Sequence, residues 1–182
     1  MSFHKPGHVS SPDDGTVGEG HQSRGGVYKA ATSLLPLRTE VEPAFSWRVS
    51  LVASAACGLL ARQRVRPALT MARWEGNVDI AARVADKLVD NAIVHGKPFG
   101  DGTVTLRLII DATTRELLIE VDDALPDFPD FAAVVNQSST LRGTPPGLWW
   151  VAHYQGHLSW DVMKAEDGQL SGKTVQAILP VA

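Results

Sequence analysis

Between Asp79 and Gly96 the chain reads DIAARVADKLVDNAIVHG, and this stretch decides the fold. Ala81, Val84, Ala85, Leu88 and Ala92 recur at steps of three and four, which places them on one stripe of an α-helix. Asn77 stands where an N-cap side chain would accept the first free backbone amides, and Gly96 stands where a helix stops. The spacing predicts a helix over Asp79–His95. Lys87, Asn91 and His95 follow at steps of four, so they share one ridge beside the apolar stripe. A neutral amide on such a ridge can ligate Mg²⁺ or phosphate without adding like charge; equally, Asn91 and His95 can form a hydrogen-bonded rim of the core.

On the N-terminal side of that helix, Ala61, Val65, Leu69 and Ala72 mark a helical face within Ala53–Trp74. Pro67 interrupts it, and a proline inside a helix removes a hydrogen bond, so a kink or two abutting helices are expected near Arg66. Before it, Phe45–Ser50 alternates apolar Phe45, Trp47 and Val49 with Ser46, Arg48 and Ser50, the period of a half-buried strand. Tyr28–Val41 reads as an extended arm or short edge strand. Beyond the helix, Thr103–Ile110 and Leu117–Asp122 read as two strands joined by the polar connection Asp111–Glu116, an antiparallel pair. Ala124–Pro146 is a long proline-bearing loop, Gly147–Tyr154 a short helix, and Leu158–Met163 and Thr174–Leu179 a closing pair of strands. Strand pairs interspersed with helices, without regular βαβ alternation, imply an α+β two-layer sandwich: a mixed, mostly antiparallel sheet covered on one face by helices.

The 182 residues suffice for one domain, expected over residues 27–182, behind a disordered tail over residues 1–26 rich in Gly, Ser and Pro. His4, His8 and His21 in that tail are too irregularly spaced to read as metal ligands. A formal charge of −3 supplies no general field for phosphate backbones, so nucleic acid is not an expected partner. Arg62, Arg64, Arg66 and Arg73 read as a solvated helix face. The apolar run Val49–Ala61 is too short to span a bilayer, which takes about 20 residues. A lone cysteine, Cys57, excludes an intramolecular disulfide framework, fits a reducing cytosol and reads as a buried packing residue.

Leu88-Val89-Asp90-Asn91-Ala92-Ile93-Val94-His95-Gly96 resembles the N-box of the GHKL ATPase family, Glu-Leu-Val-x-Asn-Ala-x-x-His-Gly, from its second position onward. Four further stretches follow the same family in order. Ala61-Arg62, Val65-Arg66, Leu69 and Trp74 resemble a helix common in its anti-sigma-factor serine kinases. Ile119-Glu120-Val121-Asp122-Asp123 resembles the strand that ends in the adenine-recognising Asp. Gly147-Leu148 with Val151 resembles the end of the Gly-x-Gly-Leu-x-x-Val box, and Gly172-Lys173-Thr174-Val175 the closing strand. The resemblance runs from about Phe45 to Leu179.

It implies a Bergerat ATP-binding sandwich with ATP and Mg²⁺ as cofactors. Asn91 would hold Mg²⁺, and Asp123 would accept from the adenine amino group. Gly147 would let backbone amides approach the phosphates, Thr174 would add a hydroxyl beneath the adenine, and His95 and Leu148 would complete the nucleotide site. Three departures bear on that reading. Lys87 occupies the position of the Glu that takes the attacking hydroxyl's proton, and an ammonium cannot act as that base. Neither Asp86 nor Asp90 shares its direction on the helix. Leu125 replaces the glycine two residues after the adenine Asp, and Pro145, beside Pro146, replaces the first glycine of the phosphate box, which removes amide donors.

The resemblance with its departures points to a cytoplasmic transcription regulator of the anti-sigma type with weakened or lost ATP binding and kinase activity, a pseudoenzyme. Its partner would be a sigma factor or an anti-anti-sigma protein of the STAS type. An active ATP-dependent serine/threonine kinase acting on such a partner is the alternative. A homodimer through Arg62, Val65 and Leu69 is a third. Trp149 and Trp150, with Phe128 and Phe131, read as anchors of a protein interface; alternatively, one Trp packs inside while the other covers the sheet edge.

Overall fold

The computed structural model describes residues 36–129, 131 and 147–181. Five strands form one open sheet: β1 (Pro43–Val52), β2 (Thr103–Asp111), β3 (Leu117–Asp123), β4 (His157–Lys164) and β5 (Leu170–Leu179). Their spatial order is β1-β2-β3-β5-β4, and every neighbouring pair is antiparallel. The fold class is α+β as expected, but the expectation of a mixed sheet is corrected: the described sheet contains no parallel pair. The short connections β2–β3 and β4–β5 make those two pairs antiparallel hairpins.

Side-chain alternation gives the sheet two different faces. Trp47, Leu108, Ile119, Ala177 and Leu158 lie in register across all five strands, and so do Val49, Leu106, Val121, Val175 and Trp160. These rows belong to the single apolar core. Helices α1 (Cys57–Met71) and α2 (Val78–Val94) pack against each other, and α2 lies along β3. A short helix, α3 (Trp149–His153), packs on α2 and β4.

Helix α2 forms for the reasons the sequence offers. The Asn77 side chain accepts from the backbone amides of Asp79 and Ile80 at 3.1 and 3.0 Å, which closes two of the free donors at its start. Ala81, Val84, Ala85, Leu88 and Ala92 are buried along one stripe. At its end the carbonyl of Asn91 accepts from His95 and Gly96. Helix α1 runs without a break through Pro67 instead of splitting into two helices. Pro67 is solvent-exposed. Gly58 on α1 sits so close to α2 that a Cβ there would overlap the carboxylates of Asp86 and Asp90.

The opposite face is polar. Arg48, Arg107, Glu120, Gln176 and Ser159 form one row across the strands, and Ser50, Thr105, Asp122, Thr174 and Asp161 the next. Arg107 binds both Glu120 and Asp122, and Gln176 Nε2 donates to Glu120 at 2.7 Å. Residues 36–41 are not a strand, and Arg38 among them lies against this face. The carboxamide of Gln176 binds both the amide (3.0 Å) and the carbonyl (3.1 Å) of Arg38. The Arg38 guanidinium binds Asp111 at 3.2 Å and Glu116 at 2.8 Å. The expected tail over residues 1–26, with His4, His8 and His21, and the loop residues Pro145 and Pro146 lie outside the described residues.

Candidate functional site

Three of the candidate residues, Asn91, His95 and Asp123, lie at one end of the sandwich, where α2 stops beside the end of β3. Asp123 is the last residue of β3 and points to the helix-covered face, since it is two residues beyond the core residue Val121. A Cβ at Gly96 would lie 2.6 Å from its carboxylate carbon, and Ala124 donates to the carbonyl of Lys97 at 2.6 Å. Only glycine lets the end of the Asn91 helix approach the carboxylate this closely. Asn91, half-buried and one turn earlier on that helix, therefore lies on the same side of the sheet as Asp123. His95 caps α2 with an exposed side chain.

Asp123 is itself fully buried, at 0% exposure. Its Oδ1 accepts from the Leu125 amide at 2.9 Å, the Lys97 amide at 3.4 Å and the Lys173 ammonium at 2.9 Å. Lys173 is 2% exposed, and its Nζ also donates to the Leu125 carbonyl at 3.2 Å. The ring of Phe128 lies across the ammonium, 5.8 Å from Nζ to centroid. Phe131 and Trp160 extend this aromatic wall, with centroids 4.9 and 5.8 Å from Phe128. Asp123 Oδ2 is buried with no hydrogen-bond partner.

Thr174 is not brought to this site. It pairs with Asp122 in the β3–β5 ladder and donates to Asp122 Oδ1 at 2.7 Å on the polar face of the sheet. The residue opposite Asp123 is Lys173. Strand parity carries the signal that would have found it: Val175, Ala177 and Leu179 face the core, so residue 173 does too and residue 174 cannot. With an ammonium already bound and no exposure, Asp123 does not fit the role of an adenine acceptor as the residues stand.

Leu148 is a core residue, 2% exposed, at the N-terminus of α3. Gly147 before it is exposed with φ +66°, a conformation that favours glycine and turns the chain into α3. Phe128 and Phe131 are buried at 7% and 5%, so they are not the exposed anchors expected. Neither Trp149 nor Trp150 packs inside the core: both are half-buried outside it, and each stacks on the ring four residues later, His153 and Tyr154.

Lys87 pairs with Asp90, Nζ to Oδ2 at 3.2 Å. Asp86 turns toward α1, where Arg62 lies 3.7 Å away. Burial pushes the Asp86 carboxyl above the usual carboxylate range; Lys87 and Arg62 oppose that rise while Asp90 adds to it. Val65 and Leu69 are fully buried against α2, which removes them from any dimer surface; Arg64, Arg66 and Arg73 are exposed as expected. Cys57 is buried, and burial pushes its thiol up. Among the described residues no helix is long and apolar enough to cross a membrane. No protein-family model matches the chain, and neither does any curated protein.

Proposed function

We propose that this chain is a divergent GHKL-family regulator on a Bergerat sandwich, related to the anti-sigma-factor serine kinases, that acts by binding a protein partner in the cytoplasm. The partner is a sigma factor or a STAS-type anti-anti-sigma protein. ATP and Mg²⁺ binding is weakened or lost. What supports the family assignment is the juxtaposition at the end of α2, where the Asn91 helix and the Asp123 carboxylate share one face of the sheet.

The observation that carries the non-catalytic reading is Lys87. It stands one helical turn before Asn91, where the family's carboxylate base would be, and its ammonium is engaged by Asp90. Phosphoryl transfer to a serine needs an acceptor for the hydroxyl proton near the nucleophile, a contribution typically worth about 10²- to 10⁴-fold. The Lys87 side chain offers donors and no carboxylate at that position, and it pairs with Asp90.

The test is to incubate the chain with candidate sigma factors and STAS-type proteins in the presence of Mg-ATP carrying a labelled γ-phosphate. The expected result is a stable complex by gel filtration with no label on the partner. Transfer of label to a partner serine would establish the kinase alternative and overturn the proposal.

A further inference from the structure

We infer that Lys173 is an intramolecular occupant of the purine-recognition point, its ammonium standing where a purine amino group would meet Asp123. The inference rests on the assignment, proposed above, of Asp123 as the carboxylate that would meet a purine amino group.

A purine would present an exocyclic N–H to Asp123 as a neutral donor. Lys173 presents a charged N–H to Oδ1 of the same carboxylate at 2.9 Å. Charge-assisted hydrogen bonds are roughly twice as strong as neutral ones, and the lysine is tethered, so no translational freedom is lost when it binds. The tether is short and in register, because Lys173 lies directly opposite Asp123 in the β3–β5 ladder. At Gly172 a Cβ would collide with the Asp123 carbonyl, so the two strands are in close contact at this point. The second Nζ contact, to the Leu125 carbonyl, uses the residue that stands where the family has glycine. Phe128 then covers the ammonium. Two acceptors, the Asp123 carboxylate and the Leu125 carbonyl, thus converge on one cation.

Removing the cation leaves those two acceptors facing each other, together with the unpartnered Asp123 Oδ2. That arrangement suits a heterocycle bearing an amino group and not one bearing an oxo group at the same position. The chemistry of the freed site is therefore that of an adenine-type base.

The experiment uses the full chain and its Lys173→Met variant, with adenosine, inosine and Mg-ATP as calorimetric probes. Wild type is expected to show no saturable binding. The variant is expected to bind adenosine and Mg-ATP at least about tenfold more tightly than wild type, with no gain for inosine, since one lost buried hydrogen-bond pairing is worth about that factor. Reductive methylation of wild type, read by mass spectrometry, does not depend on the variant folding. Lys173 is expected to stay unmodified with and without Mg-ATP.

Tight Mg-ATP binding by wild type would overturn the inference while leaving the family assignment standing, and methylation of Lys173 only in the presence of Mg-ATP would do the same by showing displacement. A folded variant that binds none of the probes would overturn it by removing the assignment of Asp123 itself. Should the variant not fold, absence of Mg-ATP binding by wild type with Lys173 protected supports the inference.

Discussion

Asp122 and Asp123 are neighbours on one strand, each opposite a neighbour on the next, yet they live in different media. Asp122 faces the polar side of the sheet, where Arg107 and Thr174 share it and the guanidinium reaches solvent. Asp123 faces the helices, where a single buried ammonium compensates it beneath an aromatic ring. One residue of displacement along a strand exchanges a networked, partly hydrated ion pair for a dry one. In the first, the counter-charge is a guanidinium shared with Glu120 at the solvent edge; in the second, one enclosed ammonium is the counter-charge, helped only by the backbone amides of Lys97 and Leu125.

The largest expected effect breaks the dry pair. Lys173→Met leaves a buried carboxylate without a counter-charge and is expected to cost about 3–5 kcal/mol in urea unfolding. The paired change Lys173→Met with Asp123→Asn should recover most of that loss, because the charge disappears with its partner. Asp122→Asn tests the other face. There the amide still accepts from Thr174 while Arg107 retains Glu120, so the expected loss is smaller, about 1–3 kcal/mol by the same measurement. Equal losses at the two positions would erase the distinction between the faces.

The smallest effect sharpens the comparison with a third carboxylate. The Asp86 carboxyl is raised by burial beside α1, so its folded value lies above the ordinary 3.8. A raised acid favours the folded state in its protonated form. Its unfavourable contribution sets in as pH rises above 3.8 and is complete once pH passes the raised folded value. Asp86→Asn should therefore flatten the fall in stability over that interval, measured as urea midpoints across an acid pH series, while leaving the region below 3.8 unchanged.

Much of the fold was legible in the sequence because local signals agreed with one another. The cap at Asn77, the stripe from Ala81 to Ala92 and the stop at Gly96 place α2 to within a residue at each end. The alternation in β1 and the polar connection between β2 and β3 gave both strands and their antiparallel pairing. The strand ends were less legible: β5 begins at Leu170, not Thr174, because Gly172 and Lys173 continue the ladder despite a composition poor in strand formers. Of the two outcomes expected at Pro67, two abutting helices are excluded, as the packing of α1 on α2 outweighs one lost hydrogen bond on an exposed flank.

At the site, the motif letters pointed to Asn91 and Asp123, which share a face, and to Thr174, which lies on the other, since letters carry no face until the parity of the strand is counted. The aromatic residues were misread for a related reason. Phe128 and Phe131 follow a strand in an irregular segment, and only the fold reveals the ammonium and Trp160 against which they pack.

The doubly bonded carboxamide of Gln176 sets where a recombinant fragment can begin. It clasps the backbone of Arg38, five residues ahead of the first strand. A fragment trimmed to Pro43 would keep every described strand and helix yet take the Arg38 amide and carbonyl from this fully buried side chain, leaving it Glu120 alone. Arg38 is thus a residue that an expressible unit must keep.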